Sequence, residues 1–157
     1  MDLQEYCKTL SKERLLNTTI KICEKTLPIW DNYSLTNKLE YIDTVVGLLH
    51  NVKKELLFNS IQFAKRKDFG TKVWKKDYSD LTEGFVDPIS AIQDMDWELP
   101  SDVKNGFYAI YNLITGIKEP MTLFKEQTHY VSINQAIQAL ESSNLMSTNQ
   151  IKDILYH

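Results

Sequence analysis

Between Val103 and Ile117, the residues Val103, Phe107, Ile110, Ile114 and Ile117 fall at offsets 0, 4, 7, 11 and 14. That spacing follows the period of about 3.6 residues of an α-helix and lays one apolar stripe along it. Tyr111 widens the stripe. Pro100 or Ser101 opens the helix, and Pro120, which can neither donate nor fit inside a helix, stops it. No segment alternates apolar and polar residues over a strand's length. The chain also has only five Gly and four Pro, too few turn formers for a loop-rich β sandwich. These features predict an all-α fold: one domain over residues 1–157, a bundle of six to eight helices. At that length a core forms without disulfides or metal.

The other helices follow from the same spacing. Residues 1–10 are a polar lead-in with Leu3, Tyr6 and Leu10 at helical intervals. Ser11 is placed to cap a helix carrying Leu15, Leu16, Thr19, Ile20, Cys23 and Leu27, with Pro28 as its stop. Ile29, Trp30 and Tyr33 lie in the next linker and are expected to plug the core. A second helix starts at Ser34 or Thr36 and carries Leu39, Ile42, Val45, Val46 and Leu49, with a bend at His50-Asn51. A third spans about 53–67 with Leu56, Leu57, Ile61 and Ala64 inward. Gly70 breaks the chain, and residues 72–76 fit either helix or loop. Tyr78 to Phe85 reads as one or two turns. Asp87-Pro88 signals a helix start for Ile89, Ile92 and Met95. Further helices carry Ile133, Ala136, Ile137 and Leu140, from about Val131, and Ile151, Ile154 and Leu155, capped by Ser147 or Thr148.

Charge is distributed unevenly. Lys53 to Lys76 carries eight basic and two acidic residues; Asp77 to Val103 carries eight carboxylates and no Lys, Arg or His. The net charge of -3 hides this step. Carboxylates without local counter-ions repel one another, so such a run is either a solvated face or a surface shaped for a basic partner. Phe85, Ile89, Ile92, Met95, Trp97 and Leu99 interrupt the run, which an acidic disordered tail would not allow. A docking surface built from Asp80, Glu83, Asp87, Asp94, Asp96, Trp97, Glu98 and Asp102 is the sharper reading. Trp97 itself fits either an interface anchor or a core residue.

Catalytic patterns are sparse. The five Gly are scattered, with no phosphate-cradling loop and no nucleophile elbow. Glu126 and His129 have the Glu-x-x-His spacing of di-iron bundles, but no second motif accompanies them, so a surface pair is expected. Asp94 and Asp96 lack the further ligands of a calcium loop. Cys23 on an apolar stripe reads as a small buried hydrophobe. Cys7 and Cys23 match no metal or redox spacing; a bond between them stays open, with a reduced cytosolic setting expected. Phe58, Phe63, Phe69 and Trp74 among the lysines could stack on bases, but the acidic pI of about 5.6 disfavours a polyanion, and Phe58 and Phe63 are expected to pack inward. The expectation is no enzyme, no cofactor, no metal, no nucleic acid and no membrane. Asp2 and Glu5 stand where a secretory leader would be basic and then apolar, so a cytoplasmic protein is expected.

The run PISAIQDMDWELP followed by FYAIYNLITGI, and the earlier KICEKTLPIWDNYSLTNKLEYIDTVVGLLH, resemble small all-helical immunity proteins of bacterial polymorphic-toxin and contact-dependent growth inhibition systems. The likeness covers roughly residues 15–118 and centres on Trp97. It implies a non-enzymatic protein that neutralises one cognate toxin domain, often a nuclease. A helical adaptor or regulatory subunit for another basic protein is the alternative.

Two variants decide the role of the acidic run. Replacing Asp94, Asp96 and Glu98 by Asn, Asn and Gln is expected to slow partner association about tenfold or more at low salt, with melting temperature little changed. Stopped-flow association at two salt concentrations measures this, and an unchanged rate makes the run a mere solvated face. In Trp97→Ala, an anchor costs about 2 kcal/mol of affinity, whereas a core residue costs about 3–5 kcal/mol of stability.

Overall fold

A computed structural model describes residues 2–29, 32–33, 58–66, 68, 71–84, 99–118 and 125–156. Its helices are α1 (Leu3–Thr9), α2 (Lys12–Glu24), α3 (Lys72–Gly84), α4 (Ser101–Lys118), α5 (Lys125–Ser142) and α6 (Thr148–Tyr156). Residues 58–64 are also helical, and there is no strand among the described residues. The all-α reading holds. The expected helix from Ser34 or Thr36 to Leu49, the bend at His50-Asn51, Trp30, Leu56, Leu57, Gly70, the Asp87-Pro88 start with its helix through Met95, and Pro120 lie outside the described residues.

Side chains set the helix starts. Asp2 accepts a hydrogen bond from the Glu5 amide at 2.8 Å, which turns the polar lead-in into the short helix α1. Ser11 accepts from Arg14 N–H at 3.2 Å and caps α2. At Ser147 the cap is reciprocal: its hydroxyl accepts from Gln150 N–H, and the Gln150 amide oxygen accepts from Ser147 N–H at 2.9 Å. That capping box satisfies two amide donors at once.

α2 stops earlier than expected. It ends at Glu24 rather than running through Leu27, because Thr26 folds back and places both its N–H and its hydroxyl on the Cys23 carbonyl. Pro28 then sits within a short helical turn over residues 27–29. Proline is tolerated in a first turn, where its missing N–H would be unpaired anyway. Ile29 is buried and Tyr33 packs on the core, as expected.

α4 and α5 form the most extensive helix pair; α2 lies across both, and α1 and α6 pack on α5 and α2 respectively. Val103, Phe107 and Ile110 of the α4 stripe are almost fully buried, with Ala109 and Leu113 beside them. Phe107, Leu15, Ile22, Ile61, Ile110, Leu113, Ile133 and Leu140 are the largest fully buried side chains among the described residues. Gly106, Ala109, Ala136 and Ala139 are buried too, and their small size lets neighbouring backbones come close.

α5 is longer than its apolar spacing suggests. It begins by Lys125, and its buried face includes His129 and Ser132. The expected surface pair of Glu126 and His129 is therefore corrected: His129 is only 1% exposed. Ser132 donates its hydroxyl proton to the Ala109 carbonyl of α4. The Cys23 thiol of α2 lies 3.2 Å from the Ser132 oxygen and 3.6 Å from the Ala109 carbonyl. One buried junction thus joins α2, α4 and α5. At the end of α5, Asn144 adopts a left-handed backbone (φ 58) and turns the chain toward α6. Asparagine visits that region more readily than most residues. Tyr6 of α1 meets Tyr156 of α6 edge to face, with ring centroids 4.5 Å apart.

Both thiols are free and buried. Burial pushes the Cys23 thiol up to about 12, against a smaller lowering by the Ser132 hydrogen bond. Cys7 is raised as well, by burial. A thiolate, not a thiol, is the nucleophile. Neither cysteine is expected to react with Ellman's reagent at pH 8 until the protein unfolds, and both should react in denaturant. Prompt labelling of Cys23 in the native protein would contradict the three-helix junction.

Candidate functional site: the charge step on α3

The step from basic to acidic sequence does not coincide with an element boundary. One helix, α3, crosses it, so the turns expected after Tyr78 belong to the same helix as Lys72–Lys76. Lys72, Lys75 and Lys76 are exposed near its N-terminus, and Asp77 and Asp80 follow in the next turns. This order opposes the helix dipole, which favours carboxylates at the start and cations at the end. The first turn has no acidic residue and the last no basic one. Other interactions must hold the helix.

Three of them are visible. Thr71 accepts from the Trp74 amide at 3.1 Å and caps the N-terminus. Trp74, 5% exposed, packs against Phe63 of the 58–64 helix and stacks on Tyr78 one turn later, with centroids 4.8 and 5.4 Å away. Arg66 then bridges Asp68 and Asp77, and its guanidinium lies 5.6 Å from the centroid of the Phe63 ring. Hydrogen bonding to Arg66 holds the Asp68 carboxyl below the usual carboxylate range, and the Asp68 and Asp77 bonds raise Arg66. Lys65 reaches back to Glu24 of α2 at 2.8 Å. The basic segment is therefore partly neutralised within the fold.

Two expectations need correction here. Asp77 does have a local counter-ion, Arg66, because α3 brings it alongside the end of the 58–64 helix. Phe63 packs inward as expected, but Phe58 is 52% exposed; it lies on the outer side of its helix, where Ile61 and Ala64 take the inner one. Val73 is also exposed.

Of the eight candidate binding residues, Asp80 is exposed on α3 and makes no ion pair among the described residues. Glu83 lies on α3, and its side chain is outside the described set, as are Asp87, Asp94, Asp96, Trp97 and Glu98 altogether. Asp102 is half-buried in the first turn of α4, where its Oδ1 accepts from Val103 N–H at 2.8 Å and its charge suits the helix dipole. Asp80 and Asp102 line different hollows: the first with Asn59, Gln62 and Asp77, the second with Ile29, Tyr33 and Val103. Asn59 and Gln62 were not anticipated; their polar type and helical interval gave no signal apart from solvent exposure. Among the described residues no three His, Cys, Asp or Glu side chains gather as metal ligands, and no helix is long and apolar enough to cross a membrane. No protein-family model, curated protein or solved structure matches this chain.

Arg66→Gln is expected to move the Asp68 carboxyl back toward the ordinary range, read by carboxyl-carbon NMR titration. Because Asp68 is lowered in the folded state, its contribution is present above the ordinary carboxylate range and fades as pH falls through the lowered value. The variant should thus melt slightly below the parent at neutral pH and with it in strong acid. A gap that persists in acid would trace the loss to packing on Phe63 instead.

Proposed function

We propose that this chain is a non-catalytic immunity protein: a cytoplasmic inhibitor that binds one basic toxin domain, most naturally a nuclease, through the acidic run that begins on α3 and ends on α4. The observation that carries the reading is the attachment of that run. Asp80 stands exposed on a helix anchored by Trp74, Tyr78 and Arg66, and Asp102 opens the helix that forms the core of the bundle. Asp80 and Asp102, each carried on a packed helix, hold defined positions at the two ends of the run. A nuclease is basic where it grips phosphates, so an acidic surface can occupy the same ground. Long-range attraction then speeds the encounter, and close pairing selects the partner.

The test is co-expression with a basic nuclease toxin domain encoded next to this chain's own gene. Growth restored by the chain, together with a stable complex on gel filtration, supports the reading. Asp80→Asn combined with Glu83→Gln should slow association about tenfold at low salt and much less at high salt, because exposed charges are screened. A complex without growth protection would assign the chain as an adaptor, and absence of both would overturn the proposal.

A further inference from the structure

We infer that the cleft beside Asp102 receives an arginine side chain of the partner protein. This deepens the proposed function and rests on it for the identity of the partner. The cleft, of about 480 Å³, lies where Ile29, Asn32 and Tyr33, the first turn of α4 and the turn after α5 meet. Ile29 and Val103, 4% and 2% exposed, supply its apolar wall. Tyr33 flanks it, and Leu145, 39% exposed, stands at its edge. Asp102 is the only charged side chain lining it among the described residues. Its Oδ1 is engaged by Val103 N–H, while Oδ2 makes no hydrogen bond or ion pair among the described residues. Ser143 donates its hydroxyl proton to the Leu140 carbonyl at 3.1 Å, so its oxygen can still accept.

Charge and shape together select the occupant. A purely apolar anchor would strip water from Asp102 and return no partner for it, a cost well above that of an exposed carboxylate. An anion would meet like charge. An arginine has a methylene stem that covers apolar surface and a planar head with five donors. Seated here, the stem lies along Ile29, Val103 and Leu145. The head meets Asp102 Oδ2 and the Ser143 oxygen, with Tyr33 at the cleft's flank.

The test uses the full chain, labelled with nitrogen-15, and needs no toxin. It is titrated with N-acetyl-arginine amide and, separately, with the citrulline analogue, which has the same shape without the charge. Saturable shifts of the Val103, Ser143 and Leu145 amides with the arginine compound, about fivefold weaker with citrulline, are the expected result, the size that loss of one charge from a part-exposed pair produces. Asp102→Asn keeps the oxygen that accepts from Val103 N–H and should weaken binding about as much. Leu145→Lys, at an exposed edge, should abolish it while the rest of the spectrum stays unchanged. Equal shifts with both compounds, or arginine shifts that survive both substitutions, overturn the inference. If the cleft ignores arginine while the toxin domain still binds, the inference falls and the immunity reading stands. If the cleft takes arginine and no toxin domain is neutralised, the reverse holds.

Discussion

The described fold depends on the contact of Ser132 with the Ala109 carbonyl, with the Cys23 thiol alongside. Buried polar groups are costly unless paired, and paired ones accept few alternative arrangements. An apolar core tolerates helices sliding by a turn if volume is conserved. This core does not, because a slide of α5 would take the Ser132 hydroxyl away from its acceptor. The apolar side chains supply most of the stability; the three-residue junction fixes which of the similar packings is adopted. Small residues at 106, 109, 136 and 139 make it reachable, since bulkier ones would hold the helices too far apart for a side chain as short as serine.

α3 poses the opposite problem. Its charges are arranged against its own dipole, so its position comes from outside the helix. The Phe63–Trp74–Tyr78 stack and the Arg66 bridge supply that support. Exposed ion pairs alone contribute little. Most of the anchoring therefore falls to buried Trp74, and the ion pairs set the angle at which the helix lies. A helix whose charges oppose its own dipole is thus fixed by its aromatics, with Asp80 left on the outer face.

How far the sequence revealed this depends on how each segment is stabilised. α2, α4 and α6 were legible because their buried faces are apolar at intervals of three and four and their caps are Ser or a proline-serine pair. α5 was read short because His129 and Ser132 occupy buried positions that hydropathy counts as exposed. α3 was divided at the charge step, although charge does not end helices; the i, i+4 pair of Trp74 and Tyr78 was the signal that spans it. Asp77 appeared unpaired because its counter-ion lies on another element, and pairing between elements leaves no trace in local composition. Asp80 and Asp102 were found by charge alone. That they line separate hollows depends on packing, which spacing within one segment does not encode.

The edge-to-face meeting of Tyr6 and Tyr156 brings together α1 and α6, two helices separated by most of this sequence. Joining such distant segments costs more loop entropy than any other contact described, because that cost grows with the length of chain closed. The same proximity means that a short peptide could join α1 directly to α6 without disturbing the centre. The bundle is thus less tied to its order of connection than to the three helices that meet at Ala109.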